Sequence, residues 1–413
     1  MTILWIASSL LLVANFYRGR FISIIDLTLL VSYFHIFLRP ILNSYCNVGQ
    51  IYTHHNDFYN EMTIFGGVFI VMFQLGMLLS ARHPKVVAID KSFSDVVLWP
   101  MLQRFSIISS AIVFLLLLFC FYLYGASFLP WFRDPGRWTQ HYPFAGISFY
   151  LAKVIAYYAI PSLCALIAFC KNSKSSIVLL IFLFFALIAF GKRGAIIAPL
   201  LLSVFAVSYL TASGYDLVRK VNLLFLGLLL LAIFGALFSR TGIFSGGFDI
   251  CTLNNIGQDY DLIWPLVYNF GEQNSWSIML AFEGIYNTLL YSFDQRMANQ
   301  SYNITDLLMM SSNLENYSEN GFGVTPYFSQ FYFILFGFSS LVVAFLIGVL
   351  CKRAELKAGL SLANGRLIGM VFYIFVIHFF MSAWDYKIKV LLLELFFVWV
   401  LVYFARFKLV FLR

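Results

Sequence analysis

Uninterrupted apolar runs recur from one end of the chain to the other, each long enough for the roughly 17–25 residues that carry a helix across the hydrocarbon core of a bilayer. They fall near residues 1–17, 21–38, 63–80, 105–127, 146–170, 175–191, 194–212, 221–239, 328–350, 367–384 and 389–405. The pattern predicts an all-α polytopic membrane protein of about 11 transmembrane helices. Met1–Tyr17 has neither a basic leading region nor a clear small-residue cleavage site, and reads as the first span. No hydrophilic domain flanks the spans and no short-period repeat divides them, so residues 1–413 read as a single transmembrane domain. The one long interruption, 240–327, is a large loop within it.

Composition sharpens this reading. Of 413 residues, 61% are hydrophobic and 11% charged, against about 25% charged in a soluble globular domain. Too few charges exist to build an aqueous surface, so lipid must solvate most of the chain. The net charge of +8 calls for no nucleic acid, because it is distributed as a topology signal. With alternating loops on opposite faces, 17 Lys and Arg lie on one side, including Arg18, Arg104, Lys171, Arg219, Arg353 and Arg406. Nine lie on the other: Arg39, Arg133, Arg137, Lys192, Arg193, Arg240, Arg296, Lys387 and Lys389. Cytoplasmic loops carry the excess of basic residues, which puts the C-terminus in the cytoplasm and the N-terminus outside. The 240–327 loop then faces outward, with nine acidic and two basic residues. Within it, Trp276–Phe293 is apolar enough to be a twelfth span, but Glu283 in its middle beside Gly284 favours an element lying at the membrane surface.

Basic residues held on the outer face run against the general bias and are the first candidates for chemistry. Gly191-Lys192-Arg193-Gly194 joins two spans with almost no loop. The next span starts there, so its free N–H groups and positive helix end face outward beside Lys192 and Arg193. That is an anion site at the outer lipid boundary; two snorkelling cations at a hairpin tip is the plainer account. Arg240 follows the span 221–239, where it could equally balance that helix's dipole. Lys387 and Lys389 occupy the hairpin after 367–384, and Arg133 and Arg137 lie in the Pro- and aromatic-rich stretch Trp131–Pro143. Aromatic residues interleave with these cations, among them Trp131, Trp138, Tyr142, Tyr268, Trp276, Tyr302, Tyr317 and Tyr327. Guanidinium forks suit a diphosphate, and aromatic faces suit sugar rings. A lipid-linked diphospho-sugar combines both; an ordinary interfacial aromatic belt explains any single ring as well.

Inside the spans, Asp26, His35, Lys153, His378 and Glu394 are ionisable and are candidates by default; a structural Lys153–Glu394 pair is an equal account. His54-His55-Asn56-Asp57 lacks further clustered ligands and reads as a polar loop, and no metal is expected. The six cysteines show no CxxC pair, and whether Cys46 and Cys251 on the outer side pair stays open. Three N-x-S/T triplets, at Asn299, Asn303 and Asn316, fall in an Asn- and Ser-rich stretch where chance produces them.

The stretch Phe190-Gly-Lys-Arg-Gly-Ala-Ile-Ile-Ala-Pro-Leu resembles the R-G turn of bacterial O-antigen polymerases, the oligosaccharide repeat unit polymerases. The layout is similar too: many spans, a large outer loop in the C-terminal half, and a glycine-bearing approach to the next span, here Gly321-Phe-Gly-Val-Thr-Pro-Tyr-Phe-Ser-Gln-Phe-Tyr with Phe336-Gly337 beyond it. The resemblance implies a glycosyltransferase C-like helical bundle in a bacterial inner membrane. It implies polymerisation of undecaprenyl-diphosphate-linked repeat units at the periplasmic face, without cofactor, with a chain-length regulator and a flippase as companions. It assigns Arg193 and Arg240 to the diphosphate and so to catalysis. Lys192, Arg133, Arg137 and Lys387 join them as substrate-binding candidates, and Glu272, Glu283 and Asp294 are the candidate general bases because they are acids of the outer loop. Gln330 stands where the family often has an acid, and the R-x10-G loop pattern of some members is missing. O-antigen ligases share the architecture and are the rival; they carry histidines in the large loop, and 240–327 has none. A lipid-linked oligosaccharide flippase or transporter would want paired broken helices and more intramembrane charge, and a membrane acyltransferase a histidine-centred site.

Overall fold

In the computed structural model the described residues are 6–11, 56–80, 99–129, 143–169, 174–190, 328–364 and 366–381, with scattered positions at 3, 14 and 25, between 279 and 286, and between 395 and 403. Their elements are helical throughout: α1 (Asn56–Ser80), α2 (Trp99–Tyr124), α3 (Pro143–Phe169), α4 (Lys174–Phe190), α5 (Phe328–Phe336), a 3-10 turn (Gly337–Ser339), α6 (Ser340–Ala363) and α7 (Leu367–Phe380). Helix is what these sequences can form in apolar surroundings, because it satisfies every backbone N–H and C=O within the segment. The spans expected at 63–80, 105–127, 146–170, 175–191, 328–350 and 367–384 all fall on these helices. Those at 1–17, 21–38 and 389–405 are described only in small part, and those at 194–212 and 221–239 lie outside the described residues.

Local chemistry sets the helix limits. α2 opens on Trp99-Pro100, where proline in the first turn sacrifices no hydrogen bond. It stops at Gly125, whose φ of +60° is the left-handed closure glycine supplies, with its N–H donating to the Phe121 carbonyl at 2.9 Å. The expected span 328–350 is not one helix. Gly337 adopts φ +55° and separates α5 from α6, and the Ser340 hydroxyl donates to the Gly337 carbonyl at 2.6 Å across the break. α6 then continues beyond 350 to Ala363, through a stretch of Lys, Arg, Ala, Glu and Leu, all good helix formers. A tight turn follows: the Asn364 N–H donates to Leu360 and the Arg366 N–H to Ser361, at 3.0 and 2.7 Å.

The helices form two groups. In the first, α2 and α3 pack as an antiparallel pair and α4 packs against both. Phe119 meets Phe144 edge-on at 4.6 Å, the Phe144 N–H donates to the Tyr124 hydroxyl at 3.3 Å, and Phe114 meets Phe182 at 5.8 Å. In the second, α6 packs on α1 and α7, and α5 lies against α1 and α6. α7 runs antiparallel to α6, with Lys357 over the Tyr373 ring at 5.7 Å and Gly369 beside Ser361.

α1 and α6, by contrast, run parallel. Phe65 near the start of α1 meets Phe338 at 5.9 Å, and further along Gly76 faces Phe345 and Val349 while Gly348 faces Phe73 and Met77. The two glycines make this crossing close: a Cβ on Gly76 would run into the Phe345 carbonyl, and one on Gly348 into the Phe73 carbonyl. Small residues at a crossing let backbones approach and gain dispersion contacts, which is how helices associate where lipid competes for apolar surface.

Two helical stretches, Trp99–Tyr124 and Ser329–Ser361, are long and apolar enough to cross a membrane. Only 28% and 39% of their most apolar windows is buried inside the protein, less than a helix enclosed in the core of a soluble domain would bury. Phe114, Leu115, Leu118 and Phe119 on α2, Val178 and Phe185 on α4, and Val342 and Leu346 on α6 are all exposed. Water rarely meets so continuous an apolar surface on a soluble chain, and the two long helices point to membrane association.

Candidate functional site

Arg133, Arg137, Lys192, Arg193, Arg240, Glu272, Glu283, Asp294 and Lys387 all lie outside the described residues, as do Asp26, His35, Cys46, His54, His55, Cys251, Lys389 and Glu394. Lys153 is on α3 and His378 on α7. Met279, Phe282 and Tyr286, which flank Glu283, are helical and exposed, and their spacing of three and four sets them on one apolar helix face.

The described helices do fix where the candidate segments attach. Because α2 and α3 are antiparallel and α4 turns back along α3, the C-terminus of α2, the N-terminus of α3 and the C-terminus of α4 share one end of their group. The chain leaves α2 through the turn at Gly125–Leu129 towards Arg133 and Arg137, and returns to that end at Pro143. It leaves α4 at Phe190, and Gly191-Lys192-Arg193-Gly194 follows directly. Covalent connection therefore starts both cationic segments from one end of one helix group, and Arg193 lies three residues past the end of α4, within about 11 Å of extended chain. In the second group the C-terminus of α7 lies beside α5, the Tyr332 hydroxyl donating to the Phe380 carbonyl at 3.0 Å. The segment carrying Lys387 starts from there.

Buried polar side chains mark where the helix interiors are not plain hydrocarbon. Gln330, expected near the approach to the late span, is fully buried in α5, and Ser329 beside it is buried as well. Gln74 in α1 accepts a 3.1 Å hydrogen bond from the hydroxyl of Ser8, tying a helical residue of the N-terminal segment to α1; its amide nitrogen has no partner among the described residues. Ser106, Ser109 and Ser110 form a buried hydroxyl ridge on one face of α2. At the C-terminal half of α6, Lys352 and the fully buried Glu355 form an ion pair at 2.7 Å, one turn apart. Gln330 apart, none of these was singled out from the sequence. Their signal was a lone polar residue within an apolar helix, which marks either function or helix–helix contact. Gln74, Ser8 and the Lys352–Glu355 pair make helix–helix or intrahelical contacts.

Among the described residues no group of three or more His, Cys, Asp or Glu side chains could hold a metal ion. Compared with family models, with curated proteins and with solved structures, the chain matches none.

Proposed function

We propose that this chain is a metal-independent, cofactor-free glycosyltransferase of the bacterial inner membrane. In this reading it polymerises undecaprenyl-diphosphate-linked oligosaccharide repeat units, of O-antigen or a related surface polysaccharide, at the periplasmic face. The observation that carries it furthest is the shared end of α2, α3 and α4. From that end the chain continues into both Arg133/Arg137 and Lys192/Arg193, the cations suited to hold a diphosphate at a membrane boundary. An acceptor hydroxyl on one repeat unit attacks the anomeric carbon of a lipid-linked chain. The bond from that carbon to the diphosphate oxygen breaks, and polyprenyl diphosphate leaves with the bonding pair. Arg193 and Arg240 stabilise the departing charge, Lys192, Arg133, Arg137 and Lys387 bind the lipid-linked substrate, and Glu272, Glu283 or Asp294 takes the hydroxyl proton. Cells lacking the protein should display a single repeat unit and lose the glycan ladder, and plasmid expression should restore it. An intact ladder in the deletion strain would remove this reading.

The parallel course of α1 and α6 supports an outward-facing 240–327 loop. If both helices cross the membrane in the same direction, an odd number of crossings separates them. The spans expected between them are 105–127, 146–170, 175–191, 194–212 and 221–239, which is odd, and Trp276–Phe293 as a further span would make the number even. Reporters fused after Gly214 and after Gly359 are expected to read as cytoplasmic and one within Ser311–Asn320 as periplasmic, with the N-terminus periplasmic and the C-terminus cytoplasmic. A cytoplasmic signal from Ser311–Asn320 would show that 276–293 crosses.

A further inference from the structure

We propose that the exposed face of α6 holds an anionic phospholipid, its headgroup bound by Arg353 and Lys357. Phe338, just before α6, and Val342, Leu346 and Leu350 on it follow one another at every fourth residue, and all four are exposed. Such spacing makes a continuous stripe along one side of the helix. The stripe runs on without interruption into Arg353 and Lys357, which are also exposed. Arg366, exposed at the start of α7, stands just across the tight turn from the end of α6, and Ile368 and Phe372 on α7 add exposed apolar surface. An apolar stripe ending in cations is complementary to one kind of molecule: an acyl chain carrying an anionic head.

The charge at this end is available. The neighbouring cation, Lys352, is neutralised by Glu355 at 2.7 Å, whereas Arg353, Lys357 and Arg366 have no acidic partner among the described residues. The Tyr373 ring lies 5.7 Å from the Lys357 ammonium, a contact that holds the cation beside α7 without neutralising its charge. A guanidinium and an ammonium four residues apart fit one phosphodiester, the fork taking two oxygens and the ammonium acting as a point charge. A soluble acidic partner would gain nothing from the Val342–Leu350 stripe, and a lipid without net charge gains less from the cations, because its own ammonium group offsets its phosphate. The proposal rests on the membrane reading of α6 and is independent of glycan transfer.

The test uses the full chain purified in neutral detergent, with bound lipid counted by native mass spectrometry after addition of phosphatidylglycerol or phosphatidylcholine. Phosphatidylglycerol should be retained in preference, and a tenfold excess of inorganic phosphate over the lipid should not displace it. In the double variant Arg353→Gln, Lys357→Gln its apparent affinity should fall roughly 30-fold, the effect of losing two basic residues at a membrane surface. The charge-preserving double exchange Arg353→Lys, Lys357→Arg should keep most of the retention, which separates charge loss from misfolding. Equal retention of the two lipids by the wild type, unchanged retention in the glutamine variant, or displacement by inorganic phosphate would each overturn the proposal. Release of the protein from membranes by alkaline carbonate would overturn the membrane reading together with it, whereas firm embedding without lipid preference would remove this site alone.

Discussion

Arg193→Ala is expected to abolish glycan chain growth while leaving the protein folded and membrane-embedded. The residue lies three positions past the end of α4, next to Gly194, where the next expected helix would point its N-terminus outward. If its guanidinium stabilises the diphosphate as it leaves the anomeric carbon, losing it removes a donor aimed at developing negative charge. Comparable single donors are worth about 10²–10³ in rate, or about 2.7–4 kcal/mol. Arg193→Lys should recover only part of the rate, because a point charge replaces a planar fork. Arg240 completes the test. A residue that only balances the dipole of the preceding helix contributes about 0.3–1 kcal/mol and is replaced well by lysine. One that grips the diphosphate with Arg193 is not, and the double alanine variant then costs less than the two single losses added. Single-turnover transfer from a purified lipid-linked donor in nanodiscs measures all five variants: Arg193→Ala, Arg193→Lys, Arg240→Ala, Arg240→Lys and the double alanine. Wild-type rates in Arg193→Ala would end the diphosphate assignment; full activity in Arg240→Lys with additive losses would remove Arg240 alone.

Gly76→Ala and Gly348→Ala should each destabilise the α1–α6 pair, and leucine at either position should prevent it from forming. At both positions the added carbon would meet backbone, the carbonyls of Phe345 and Phe73 respectively, and a backbone cannot rotate aside as a side chain can. Overpacking of this kind costs about 1–3 kcal/mol when the helices can shift apart. Because each glycine faces the other helix at the same crossing, the first methyl already forces the separation that the second requires. The double alanine variant should therefore cost less than the sum of the singles. Gly125→Asn is the control: Gly125 has open space around it and only its left-handed φ of +60° to satisfy, which asparagine tolerates. SDS-induced unfolding in mixed micelles, followed by the fluorescence of the eight tryptophans, reports the differences. Additive single and double effects would show that Gly76 and Gly348 do not share a contact.

The helical class and the approximate position of the described helices were legible in the sequence, because a run of 17 or more apolar residues has helix as its solution in apolar surroundings whatever it packs against. Pro100 and Pro143 lie in the first turns of α2 and α3, where proline is a start signal that the residue pattern carries by itself. The break at Gly337 has no such signal. Glycine is common in membrane helices, and nothing in Phe336-Gly337-Phe338 distinguishes a glycine at φ +55° from one continuing a helix. The candidate site was legible only as chemistry, as cations expected on the face of the membrane that basic residues disfavour. The ends of α2, α3 and α4 add that two of its segments start from one place.

From the residue pattern alone come the expectation of a lipid solvent, the sidedness that the basic residues favour and the chemistry expected at the outer face. Those depend on composition and on the one-dimensional spacing of apolar and basic residues. Tertiary structure alone decided that α1 and α6 run parallel, that Gly76 and Gly348 meet where they cross, that Gln74 finds Ser8, and that one face of α6 stays open from Phe338 to Lys357. Each is a choice of which helix faces which. Lipid is as apolar as any leucine-rich partner, so hydrophobicity leaves that choice undetermined. It is settled by close fit and by isolated polar groups, and those are visible only once the helices are side by side.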